Sequence, residues 1–237
     1  MKKTFIALAL AASVAPAWAA EVVSSNIVGY NKVTVPAGMS IIGQQFVAVG
    51  GGDQSIQEIK AEGLSDGGMD AFMVWDGTAY QEYLYYTAGD DINGDGTAAW
   101  GDVDWSPVNA TIPAGTGAWI STQNQATIIF AGEVGNTATV DFVAGMNLLT
   151  QPLPFDVNIQ DVTAVGLSDG GMDAMMVWDG DKYEEYLYYS ASDNINGDGT
   201  AAWGDVDWTP VDATLLAGRG FWLSAQGAGT LTFPSVD

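Results

Sequence analysis

Shifted by 103 residues, this sequence falls on itself. "GLSDGGMDAFMVWDGTAYQEYLYYTAGDDINGDGTAAWGDVDWSPVNATIPAG" at 63–115 meets "GLSDGGMDAMMVWDGDKYEEYLYYSASDNINGDGTAAWGDVDWTPVDATLLAG" at 166–218, and the two differ at eleven of 53 positions. The match runs on at both ends, with "VPAGMSIIGQQF" answered by "FVAGMNLLTQPL" and "GAWIS" by "GFWLS". A duplication of this period restricts the chain to two similar units or two halves of one. About a hundred residues is longer than a solenoid repeat and enough for a small core. The boundaries that follow are a first unit over 20–135 and a second over 136–237.

Within each copy the local signals are mostly β. In "AFMVWDGTAYQEYLYY" two runs rich in β-branched and aromatic residues flank Asp76-Gly77, a dipeptide that favours a type I′ hairpin turn, and Asp179-Gly180 repeats it. "ATIPAGTGAWIS" reads as strand, Pro/Gly turn and strand, while "ATIIFAGEV" and "GTLTFPSVD" read as closing strands. "DQSIQEIKAEGL" and "FDVNIQDVTAVGL" carry apolar residues at helical spacing, which predicts at most one short helix per repeat. Thirty glycines and short strands point to a mainly β chain of two tandem homologous repeats, each sandwich-like or barrel-like.

The chain opens with Lys2 and Lys3, an apolar run and Ala17-Trp18-Ala19, the pattern of a secretory signal peptide over 1–19. Beyond it no stretch reaches the roughly 18 apolar residues of a membrane helix, so an exported protein without membrane insertion is expected, in the extracellular space, on the cell surface or in the periplasm. After the leader, Lys32, Lys60, Lys182 and Arg219 face 29 carboxylates. Such a chain repels nucleic acid and anionic membranes, which leaves cations or neutral glycans as partners. With neither cysteine nor histidine, it has no Cys nucleophile, no Ser/His/Asp triad and no ordinary zinc or haem ligand set. Oxygen-ligand metals and carboxylate chemistry remain.

The acidic loops take up that remainder. Asp91, Asn93, Asp95, Gly96, Thr97 and Asp102 occupy positions 1, 3, 5, 6, 7 and 12 of a twelve-residue calcium loop, and Asn194, Asn196, Asp198, Gly199, Thr200 and Asp205 repeat them. Calcium takes six to eight oxygens; alternate side chains of a tightly wound loop supply them, the glycine permits the turn, and position 7 gives its carbonyl. Asn194 is a neutral ligand where Asp91 is charged, so the second site is the weaker unless Asp193 takes over. Asp104 and Asp207 stand as extra ligands, and Asp66, Asp70, Asp169 and Asp173 as contributors across space. On these residues the loops resemble those of EF-hand, dockerin and thrombospondin type 3 proteins, which implies bound Ca2+. The departures are Asp for Glu at position 12, and flanks "YLYYTAG" and "GDVDWSP" that are not helices. The wider pattern "NIVGYNKVTVPAGMSII", "VWDGTAYQEY" and "AGRGFWLS" resembles uncharacterised secreted bacterial β-repeat proteins, which implies a surface or extracellular structural role without assigned activity.

Aromatics accompany the carboxylates. Tyr83, Tyr85, Trp100 and Trp105, with Tyr186, Tyr188, Trp203 and Trp208, are candidate stacking platforms for glycans, since rings stack on sugar faces. In "YQEYLYY" both strand faces carry aromatics, so one is core and the other meets solvent, the other repeat or a ligand. Glu82 with Asp76, or Glu184 and Glu185 with Asp179, lack any spacing that marks an acid–base pair, and a non-enzymatic role follows. Besides calcium and glycans, the exposed edges of a tandem β chain make other copies of itself a candidate partner.

Overall fold

The computed structural model describes residues 28–135 and 138–234. The expected leader lies outside them, as do residues 136 and 137 at the expected unit boundary.

The chain is mainly β, and no α-helix occurs among the described residues. Two five-stranded antiparallel sheets carry the duplicated block in the same order. One runs Gly38–Gly43, Gly117–Thr122, Ala71–Trp75, Tyr80–Tyr86, Ala99–Gly101; the other runs Gly145–Thr150, Gly220–Ala225, Ala174–Trp178, Tyr183–Tyr189, Ala202–Gly204. Beside the first, Ala126–Val134 pairs along its length with Val28–Val35 and with Phe46–Val47 and Lys60–Glu62. Beside the second, Gly229–Thr232 lies between Thr139–Phe142 and Thr163–Val165.

The two five-stranded sheets meet at their first strands. Gly38–Gly43 pairs with Gly117–Thr122 and Gly145–Thr150 with Gly220–Ala225, while single bridges join Ile42 to Arg219 and Thr116 to Leu149. These four contacts close a ring, and the small sheets stand around it in a propeller-like arrangement. Crossing backbones need a residue without a side chain. A Cβ on Gly43 would lie 2.1 Å from that of Thr150, so glycine there lets the Gly43 N–H reach the Gly218 carbonyl at 2.9 Å.

Alternation along these strands divides neighbours between faces. Ile42 enters a core with Phe46, Ile56, Phe72, Trp100 and Phe130, and Leu149 enters another with Phe142, Met175, Trp203, Phe221 and Leu231. Their neighbours Ile41 and Leu148 turn the other way and meet Trp222, with Trp75, Trp119 and Trp178 packed around them. Trp75 contacts Trp222 edge-on at 6.0 Å, and Trp119 contacts Trp178 at 5.9 Å. The runs "SIIG" and "NLLT" are continuous because both faces are covered.

Two local expectations change. Asp76-Gly77 does open a hairpin, but the loop is four residues long. Trp75 pairs with Tyr80, Gly77 sits at φ 97°, and Asp76 Oδ1 accepts the Thr78 and Ala79 N–H groups at 2.8 Å. The expected helices reduce to single 3-10 turns, Ile56–Glu58 and Ile159–Asp161. Ser55 and Asn158 cap them, and Ile56 and Ile59 are buried at a spacing that a helix would also give. The following residues form strand pairs instead, because Thr127–Ile129 offers Lys60–Glu62 a full set of backbone partners.

Candidate metal loops and their surroundings

Each acidic loop leaves the end of a long strand and returns into a short one, and both ends are pinned. The Tyr86 hydroxyl, buried at the strand end, donates to the Asp102 carbonyl at 2.7 Å, and Tyr189 does the same to Asp205 at 2.8 Å. Burial, joined by the nearby Asp102 and Asp90 carboxylates, raises the Tyr86 phenol above its usual range and keeps it a donor. On the returning strand the Gln57 amide donates to the Trp100 and Val108 carbonyls at 2.6 and 2.8 Å and accepts from the Trp100 N–H at 3.0 Å. Gln160 repeats the arrangement on Trp203 and Val211.

Between these anchors the loop curls on its own oxygens. Asp91 takes a positive φ of 46°, Asn194 one of 47°, and each side-chain Oδ1 accepts a glycine N–H five residues on, from Gly96 or Gly199, at 2.7 Å. This closes position 1 over position 6. Asp95 Oδ1 accepts the Thr97 N–H at 2.8 Å and its hydroxyl at 2.7 Å, and that hydroxyl in turn accepts from the Asn93 amide at 2.9 Å. Asp198, Thr200 and Asn196 form the same set. The Thr97 hydroxyl, ahead of its N–H, holds the Asp95 carboxyl below the usual range, with a smaller contribution from Lys60. Asp198 is lowered by Thr200 in the same order, but the second copy carries Thr163 where the first has Lys60. The Asn93 and Asn196 amides add smaller contributions to the lowering of the position-5 carboxylates, and among the described residues the second oxygen of Asp91 accepts no hydrogen bond.

The other expected ligands are placed differently. Asp102 Oδ1 accepts the Asp104 and Ser106 N–H groups, both at 3.0 Å, so this carboxylate caps the turn that follows it; Asp205 caps its own turn through Asp207 and Thr209. Asp70 and Asp173 are fully buried and hold backbone: Asp70 accepts from the Ser65 and Gln123 N–H groups, Asp173 from those of Ser168 and Gln226. They are structural pins and do not reach the loops. Asp193 does not take over from Asn194, because its Oδ2 accepts from Gly170 at 3.1 Å and Ser190 at 2.7 Å. Its counterpart Asp90 binds the Gly67 and Thr87 N–H groups, and the first of these bonds leads in lowering its pKa. Asp66, Asp104, Asp169 and Asp207 are exposed. Among the described residues no three carboxylates converge as a ready-made cage.

The aromatic candidates split. Trp100 and Trp203 are 1% exposed, each donating its indole N–H to a backbone carbonyl, of Ile59 and of Val162, so they are core and not platforms. Tyr85 and Tyr188 pack edge-on against them at 5.2 and 5.4 Å, and Tyr83 and Tyr186 are half-buried. Trp105 and Trp208 remain open, 52% and 51% exposed, at φ 61° and 63°, tilted over Tyr86 and Tyr189 at 4.9 Å.

Three pairs of anchors have roles that the sequence did not assign: Gln57 with Gln160, Tyr86 with Tyr189, and Asp90 with Asp193, the last expected as a ligand and found as an anchor. Asp90 carries a local signal, since an Asp three residues after a Thr closes turns of this kind; the glutamines bond across some forty residues and carry none.

No protein-family model, curated protein or solved structure matches this chain.

Proposed function

We propose that this is a secreted, calcium-binding β-repeat protein with a structural or interaction role outside the cell, on its surface or in the periplasm, built from two copies of one unit over 20–135 and 136–237. One observation carries the reading. Both loops close position 1 over position 6 through a carboxylate or amide oxygen at 2.7 Å, with the first residue held at positive φ. A strained backbone of this kind persists where its surroundings determine it. The ion would be held by Asp91, Asn93, Asp95 and the Thr97 carbonyl, with Asn194, Asn196, Asp198 and Thr200 in the second loop. Because Asp102 and Asp205 cap their own turns, each contributes only its remaining oxygen, and water completes the shell. Calcium then offsets the repulsion of a chain with net charge −23.

A non-catalytic role belongs to the same reading. Asp76 and Asp179 are held below the usual carboxylate range, first by the N–H groups of Ala79 and Lys182, the reverse of what a general acid requires.

The alternative is a carbohydrate-binding module. It draws on Trp105 and Trp208, large rings open to solvent beside the acidic loops. Thermal melts of chelator-stripped protein with calcium, magnesium or neither test the first reading. Stabilisation of about 2.7 kcal/mol per loop is expected at a hundredfold excess over that loop's Kd, and equal melting in all three would overturn it. Pull-down on insoluble polysaccharides, lost on Trp105→Ala and Trp208→Ala together, tests the second.

A further inference from the structure

Two clefts flank the ring where the halves meet, and the internal repeat relates them. The smaller is lined by Trp75, Asp76, Thr116 and Asn147, with Met146 beside them. The larger, of about 340 Å³, is lined by Ser40, Trp178, Asp179, Glu184, Tyr186 and Arg219. Such a volume lies at the small end of ligand pockets, which run from about 300 to 1,000 Å³.

The two clefts have diverged in their polar groups. Arg219, the only arginine of the chain, stands where the first copy has Thr116, and Ser40 where the second has Asn147. In the smaller cleft the Trp75 indole N–H donates to the Met146 carbonyl at 3.2 Å. In the larger, the Trp178 indole nitrogen is buried and has no acceptor among the described residues. Arg219 is half-buried and donates through one terminal nitrogen to the Thr34 carbonyl at 2.8 Å. Among the described residues it forms no ion pair, although the chain carries 29 carboxylates. A guanidinium has five N–H donors, and leaving a desolvated one without an anion is costly. The cleft therefore holds a cation that calls for negative charge, and its tryptophan lacks the backbone bond made by Trp75 in the smaller cleft.

Its remaining groups indicate what carries that charge. Asp179 Oδ1 is taken by the Asp181 and Lys182 N–H groups, but its Oδ2 has no hydrogen bond among the described residues, and Glu184 lines the same cleft with an ion pair to the exposed Lys182 at 2.6 Å. Carboxylates accept from hydroxyls, Ser40 and Tyr186 bring hydroxyls of their own, and Tyr186 and Trp178 supply ring surface. With net charge −23, a polyanionic chain is repelled, whereas a single negative group can be drawn to Arg219. We propose that this cleft binds a small sugar acid, one ring bearing a carboxylate for Arg219 and hydroxyls for Asp179 and Glu184.

The test is titration of sodium glucuronate into the full chain at low ionic strength, followed by calorimetry and tryptophan fluorescence. A chelator present throughout keeps the acidic loops out of the measurement. Saturable binding is expected, at least tenfold tighter than for glucose or acetate. Arg219→Thr, which places there the residue of the smaller cleft, should lose at least tenfold. Because Arg219 also holds the Thr34 carbonyl, Glu184→Gln serves as a second variant: it should melt as the parent does, weaken glucuronate and leave acetate unchanged. Absence of saturable glucuronate binding, equal affinity for acetate, or full binding by a folded Arg219→Thr protein would each overturn the assignment.

Discussion

Trp222→Ala is the sharpest probe of how the two halves are joined. Trp222 is 8% exposed, packs with Ile41 and Leu148, and contacts Trp75 edge-on at 6.0 Å. Truncating a buried tryptophan to alanine costs about 3–5 kcal/mol in transfer and cavity terms. In a chain of this size each kcal/mol shifts Tm by roughly 2–4 °C, so a drop of about 6–20 °C is expected. The assay is a thermal melt followed by near- and far-ultraviolet circular dichroism, with Trp105→Ala as the control. Trp105 is 52% exposed and lies tilted over Tyr86, so its loss should cost about 1 kcal/mol or less. Should Trp222→Ala melt within 2 °C of the parent, the tryptophan cluster would contribute nothing to the join, which would then rest on the backbone bridges.

Other expectations follow from single residues. Gly43→Thr should destabilise by about 1–3 kcal/mol through the clash with Thr150, and Thr150→Gly should restore much of the loss; additive melts would refute the close crossing. Lys60→Thr removes the cation beside Asp95 and should tighten calcium at the first loop at low salt, a difference that added salt should screen away; equal calcium affinity of parent and variant at low salt would refute it. Asp90 and Asp193 have folded pKa values below the ordinary 3.8, so the stability they contribute is present above that value and lost as pH falls through the lower, folded pKa. Acid melts of Asp90→Asn with Asp193→Asn should therefore lose part of the pH dependence below pH 3.8, the rest belonging to Asp76, Asp95, Asp179 and Asp198, and an unchanged acid limb would contradict the assignment.

The strands and their hairpins were legible in the sequence because alternation and β-branched runs report local backbone preference. Asp76-Gly77 marked its turn correctly and gave only the loop length wrongly, since the Asp76 side chain caps a longer turn than the dipeptide alone favours. Ile56 and Ile59 suggested a helix because a 3-10 turn buries the same spacing; pairing with a strand some seventy residues away decided the outcome. Trp100 and Trp105 are close in sequence and both aromatic, yet one is core and the other open. The difference lies in long-range bonds, the Ile59 carbonyl and the Gln57 amide, which no local pattern encodes. The acidic loop was the most readable part, because its closure uses residues within a dozen positions, whereas the diversion of Asp102 to its own turn depends on the chain that follows.

The measurement closest to the central claim is calorimetric titration of calcium into chelator-stripped protein, for the parent, Asp95→Ala and Asp198→Ala. Two binding events are predicted, with the weaker lost in Asp198→Ala and the stronger in Asp95→Ala. A parent protein that takes up no calcium would contradict the account and leave the two loops as self-bonded acidic turns.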